Sequence, residues 1–113
     1  MFAFQTAPFG KRNDVTPQRS QVVLPITGDL DAAGATAVQK RLLGLTLRPG
    51  DLLLLDLSAL DFMDSTGIRL ILQAREHALR HGARFAVVRG PEAVMRILEL
   101  VGLDAQLELV GRP

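Results

Sequence analysis

Seven consecutive residues, Asp51-Leu52-Leu53-Leu54-Leu55-Asp56-Leu57, constrain this chain most. The run is apolar but far too short for a membrane-crossing helix, which needs about 18 residues or more. Pro49-Gly50 just before it is a strong stop and turn signal. A short, continuous apolar run of this kind reads as a strand covered on both faces, the pattern of a parallel sheet.

The segments around it have helical periodicity. Asp31 is a candidate N-cap for a helix running to about Leu45, in which Ala35, Val38, Leu42 and Leu45 share one face. A second helix is expected to start just after Ser65. Its residues Ile68, Ile71, Leu72, Ala78 and Leu79 fall within a stripe of about 120°. Arg75 lies inside that stripe, where its stem can follow apolar surface while the guanidinium reaches water. Gly82 closes this helix as a glycine past the C-cap. Phe85 to Val88 reads as a strand. Gly90-Pro91 opens a third helix that buries Val94, Ile97, Leu98 and Val101, and Gly102 ends it.

Upstream, apolar runs Phe2 to Phe9 and Gln21 to Ile26 flank a polar stretch, Gly10 to Ser20. They read as two strands joined by a long loop. Pro25 has no N–H for a ladder, which places its strand at an edge or a bulge. Leu107 to Val110 is a final edge strand or a tail. The expected order is β-β-α-β-α-β-α, with a mostly parallel sheet, an antiparallel hairpin at its start and right-handed crossovers. One domain over the 113 residues suits the length, with 10–20 as an extended loop.

Composition removes several functions. Thirteen Lys and Arg against twelve Asp and Glu give a formal charge of +1, without the basic field of a dedicated nucleic-acid binder. Cysteine is absent, so disulfides, thiolate catalysis and Cys-ligated metals are excluded. The five Phe are the only aromatics, too few for a base-stacking platform. The start, Met1-Phe2-Ala3-Phe4, lacks the basic residues of a signal peptide, which favours the cytoplasm.

The densest signal is Asp61-Phe62-Met63-Asp64-Ser65-Thr66-Gly67. Ser65 at a helix N-terminus is either a cap, worth about 1 kcal/mol, or a modifiable hydroxyl. A phosphate there would sit among free backbone N–H groups and add about −1.5 to −2 charge. A nucleophile elbow needs Gly-x-Ser-x-Gly, and Met63 stands where its first glycine would be. His77 and His81 lie at least three turns along the same helix, out of reach of Ser65. Those histidines are four apart but lack a third ligand, and polar residues near a helix C-terminus explain them better than a metal. Asp29 and Asp31 read as a turn residue and a cap. Neither standard phosphate-cradling glycine loop occurs. No cofactor, metal or catalytic residue is expected. Leu70 lies opposite the apolar stripe and is expected to be exposed; Met63, in the loop, would join it as an apolar contact beside the serine.

Three segments resemble the STAS domain, and within it the bacterial anti-sigma factor antagonists. They are Gly28-Asp29-Leu30-Asp31, Leu55-Asp56-Leu57-Ser58 with Phe62-Met63-Asp64-Ser65-Thr66-Gly67, and Leu98-Glu99-Leu100-Val101-Gly102-Leu103. The resemblance implies an α/β fold, a mixed sheet of four to five strands with three or more helices packed against it. It implies a non-enzymatic regulator whose unphosphorylated form binds an anti-sigma factor, often a serine kinase, and so frees the sigma factor. Ser65 matches the phosphorylated serine, which a PP2C-type phosphatase restores. Asp31 and Asp64 match acidic residues at the partner contact. Met63, Thr66, Gly67, Arg69 and Leu70 complete the expected binding surface. The family's Gly-Leu-Gly is Gly67-Ile68-Arg69 here, so Arg69 either alters partner choice or pairs with the phosphate. The other readings are a STAS subunit of a stressosome-like scaffold or membrane transporter complex without a phosphoswitch, and a small enzyme or nucleotide-binding protein.

Overall fold

The computed structural model describes residues 20–111. Strands β1 (Gln21–Pro25), β3 (Leu52–Asp56), β5 (Arg84–Val88) and β6 (Leu109–Val110) form a sheet in the order β1-β3-β5-β6, every pair parallel. Strands β2 (Gly28–Leu30) and β4 (Leu60–Met63) form a second, two-stranded parallel ladder. Helices α1 (Ala32–Leu43), α2 (Ser65–Arg80) and α3 (Glu92–Leu100) connect them, followed by a 3₁₀ turn at Leu103–Ala105. The α/β class expected from the sequence is observed. The expected hairpin partner, Phe2 to Phe9, lies outside the described residues.

Among the described strands β1 lies at the edge of the sheet, one of the two placements that Pro25 allows. A β-turn at Arg48–Asp51 leads into β3: Asp51 N donates to the Arg48 carbonyl at 3.0 Å, and Gly50 takes φ 89°. Asp51, 1% exposed, accepts from Ser20 N at 3.0 Å and Arg48 N at 2.9 Å. Its carboxylate thereby ties the start of β1 to the turn before β3.

The central strand departs from expectation. Leu53 and Leu55 are buried, but Leu52 and Leu54 are only half-buried. The cause is topological. The strands lie in sequence order, and each right-handed crossover steps the same way across the sheet, so the helices fall on one face. That face and the helices form one core containing Leu24, Leu53, Leu55, Val87, Val38, Leu42, Ile71, Val94 and Leu98. On the other face, Val23 remains 45% exposed beside Leu52 and Leu54.

Helix α1 buries Ala35, Val38 and Leu42 and ends at Leu43, before the half-buried Leu45. Helix α3 buries Val94 and Leu98 as expected, but Ile97 is only half-buried and Val101, past the helix end, is exposed; Met95, not among the expected core residues, is buried instead. Helix α2 ends as expected. Gly82, φ 70°, follows the C-cap His81, and Ala83 N returns to the Ala78 carbonyl at 2.9 Å.

Candidate functional site

The ladder of β2 and β4 brings the two helix starts together. Leu30 pairs with Met63, and Asp64 N lies 3.4 Å from the Leu30 carbonyl. The residues that follow, Asp31 and Asp64, therefore leave the ladder side by side. Each caps its helix: Asp31 Oδ1 accepts from Gly34 N at 2.9 Å, and Asp64 Oδ1 from Thr66 N at 2.8 Å.

The two starts follow one plan, Asp-x-x-Gly, in Asp31-Ala32-Ala33-Gly34 and Asp64-Ser65-Thr66-Gly67. Both glycines are sterically required. A Cβ on Gly34 would run into the Asp29 carbonyl oxygen; one on Gly67 would run into Met63 Cγ and lie 3.1 Å from Leu30 Cδ2. The helices thus press their first turns onto the ladder. At the first helical position α1 carries Ala32, whereas α2 carries Ser65.

Ser65 is consequently not the N-cap expected from the sequence. Asp64 does the capping, and Ser65 is the first helical residue, exposed, its Oγ without a hydrogen-bond partner among the described residues. Serine and aspartate cap almost equally well. The ladder register decides between them by placing Asp64 at the exit.

The apolar neighbours also differ from expectation. Met63 is 1% exposed and Leu70 2% exposed, both in the core, so neither presents a contact surface. Phe62, half-exposed, is the apolar side chain presented beside the serine, and the sequence reading missed it. A β-bulge is the cause. Gly28 pairs with Leu60, but Asp29 pairs with Phe62, leaving Asp61 as the extra residue. The strand then reads buried, exposed, exposed, buried, and alternation fails.

Among the described residues, the charges on the elements around Ser65 are mostly negative. Asp29 and Asp61 are exposed on the ladder, with the capping Asp31 and Asp64 half-buried beside them. Arg69 is the only cation within the first two turns of α1 and α2; it is exposed and makes no ion pair with a described residue. Thr66 and Arg69, with Ala32, Thr36, Gln39 and Gln73, line an open groove of about 270 Å³ between the two helices. Gln39 Nε2 donates to Gln73 Oε1 across it at 3.4 Å.

His77 and His81 lie at the far end of α2, their rings 4.6 Å apart, with His81 Nδ1 2.8 Å from the His77 carbonyl. Burial, then the positive charges of His81 and Arg80, push the His77 pKa down. Among the described residues, no three His, Asp or Glu side chains come together as a metal site. No helix among them is long and apolar enough to cross a membrane.

Comparison with known proteins places this geometry. The anti-sigma-F factor antagonist RsfB of Mycobacterium tuberculosis H37Rv is 29% identical over 104 residues, covering 92% of this chain and 84% of RsfB. The structure of the anti-sigma factor antagonist SpoIIAA in its unphosphorylated form superposes with a TM-score of 0.68 at 18% identity, over 85% of this chain and 83% of SpoIIAA. The STAS domain of a SulP transporter from Vibrio cholerae superposes with a TM-score of 0.61 at 20% identity, over 86% and 77% of the two chains. The family model of the STAS domain matches residues 12–111, nearly the whole chain, and the chain belongs to that family.

Proposed function

We propose that this protein is an anti-sigma factor antagonist switched at Ser65. Unphosphorylated, it binds an anti-sigma factor and so frees a sigma factor. The observation that carries this reading is the Ser65 hydroxyl: exposed, without a capping duty, and on the first residue of α2, three residues after the exposed Phe62. The resemblance to RsfB, known as an anti-sigma-F factor antagonist, supports it.

The partner acts as a serine kinase in this scheme. Ser65 Oγ attacks the γ-phosphorus of a nucleoside triphosphate; the O–P bond forms, the bond to the diphosphate breaks, and the hydroxyl proton leaves to a base of the kinase. A PP2C-type phosphatase reverses the state by transferring the phosphoryl group to water. No catalytic step falls to this chain. The cytoplasm, where transcription is controlled, is its proposed place of action.

The switch works through desolvation. A partner closing over Phe62 and Ser65 would bury a dianion beside Asp61 and Asp64. A loss of about 2.8 kcal/mol lowers affinity about a hundredfold. The test is capture of partners by wild-type, Ser65→Ala and Ser65→Asp baits, with intact mass of the native protein. Ser65→Ala should retain the anti-sigma factor and Ser65→Asp should lose it. Equal capture by all three, with no phosphate on Ser65, would falsify the switch. Constitutive capture of a transporter, indifferent to both substitutions, would assign the chain to transport instead.

A further inference from the structure

We propose that Arg69 holds the phosphate of phosphorylated Ser65 through an i,i+4 ion pair along α2, and is the resident counter-charge of the switch. The inference rests on the proposed modification of Ser65.

The geometry comes from the helix itself. Ser65 is the first residue of α2 and Arg69 lies four residues on. Residues so spaced share a face with Cβ atoms about 5–6 Å apart. Helical side chains lean toward the N-terminus, so the Arg69 stem runs back over the turn that contains Ser65. An acid N-terminal to its base at this spacing is the better orientation. The planar guanidinium also suits phosphate oxygens.

The surroundings leave Arg69 available and make it necessary. Arg48, Arg80, Arg84 and Arg96 each pair with a carboxylate. Arg69, like Arg41, Arg75 and Arg89, has no carboxylate partner among the described residues, and of these four it alone lies in the first two turns of α2. Among the described residues, the charged side chains on the ladder and at the helix starts beside Ser65 are Asp29 and Asp61 and the capping Asp31 and Asp64. Helix α3, which packs against β4, carries Glu92, Arg96 and Glu99, and Arg96 is paired with Glu92 at 3.5 Å. A dianion added to four aspartates needs a counter-charge, and Arg69 is the cation that the first two turns of α1 and α2 supply.

The experiment uses the full chain with phosphoserine genetically encoded at position 65, titrated by phosphorus NMR. Wild-type, Arg69→Gln and Arg69→Lys are compared at low salt. Arg69→Gln should raise the second phosphate pKa by about 0.3–0.7 unit, the size expected of an exposed pair. Arg69→Lys should restore most of the difference, and added salt should shrink it. Superimposable titrations of wild-type and Arg69→Gln would overturn the inference. Because the phosphate is installed without a kinase, partner binding measured on the same samples separates the two claims. If phosphorylation leaves anti-sigma factor binding unchanged while the titrations differ, the proposed function fails and the Arg69 pair stands.

Discussion

The Ser65 side chain can accept a phosphate without surrendering a structural hydrogen bond to a described residue, because Asp64 carries the cap. Stability should report this division of labour. Asp64→Ala should destabilise by about 1 kcal/mol in denaturant unfolding, while Ser65→Ala should stay within about 0.5 kcal/mol. The reverse ranking would return the cap to Ser65. Gly67 sets the approach of α2 to the ladder. Gly67→Ala forces its Cβ against buried Met63, and should cost about 1–3 kcal/mol, the range for overpacking. Asp51 governs acid stability. Hydrogen bonds from the backbone N–H groups of Ser20 and then Arg48 lower its pKa, so the unfolded chain binds the proton more readily. Its contribution is complete above the ordinary value of 3.8 and is lost as pH falls through the lowered folded-state value. Asp51→Asn should flatten the acid limb of the unfolding curve. The sequence showed Asp51 only as the polar boundary of a leucine run, since its hydrogen bond to Ser20 spans 31 residues.

Among the elements, α1 and the central strand were readable because cap, periodicity and Pro49-Gly50 all agree. The ladder was not. Strands β2 and β4 have only three and four residues; β2 is Gly-Asp-Leu, which reads locally as a turn, and β4, Leu-Asp-Phe-Met, is too short and too irregular in burial to show alternation. What makes them strands is their pairing with each other across the fold. Helix α2 was located correctly but rotated by about a quarter turn. Its buried face is Gly67, Leu70, Ile71, Ala74 and Ala78, leaving Leu72 and Leu79 exposed. Close packing selects the small residues Gly67, Ala74 and Ala78 over the bulkier stripe, and this also moves Arg75 to the half-buried margin. The C-terminal end of α2 carries its own pH dependence. Burial, His81 and Arg80 lower the His77 pKa below 6.5, so protonation favours the unfolded chain. Stability should be full above pH 6.5 and decline as pH falls through the lowered value. His77→Gln should remove this decline, read as a flatter dependence of the unfolding midpoint on pH.

At the scale of the molecule, strands in sequence order put the helices on one face, and the extra ladder carries both helix starts to one end. Core and candidate binding surface meet there but do not overlap. Leu30, Met63 and Leu70 lie inward, while Phe62, Ser65 and Arg69 lie outward. Folding and partner binding should therefore separate by mutation. Leu70→Ala removes a buried side chain and should cost about 2–5 kcal/mol of stability. Phe62→Ala removes a half-exposed ring and should cost less than about 1 kcal/mol. In binding the order reverses. An aromatic side chain at the centre of an interface is a characteristic anchor, and its truncation typically costs 2 kcal/mol or more. Phe62→Ala should thus weaken anti-sigma factor binding at least about tenfold. Leu70→Ala, measured at a temperature where it remains folded, should bind within about threefold of wild-type, since its side chain does not reach the surface. Calorimetric titration beside denaturant unfolding measures both quantities on the same samples. A Phe62→Ala protein that binds like wild-type would remove this end of the fold from the interface, whatever the phosphorylation state of Ser65.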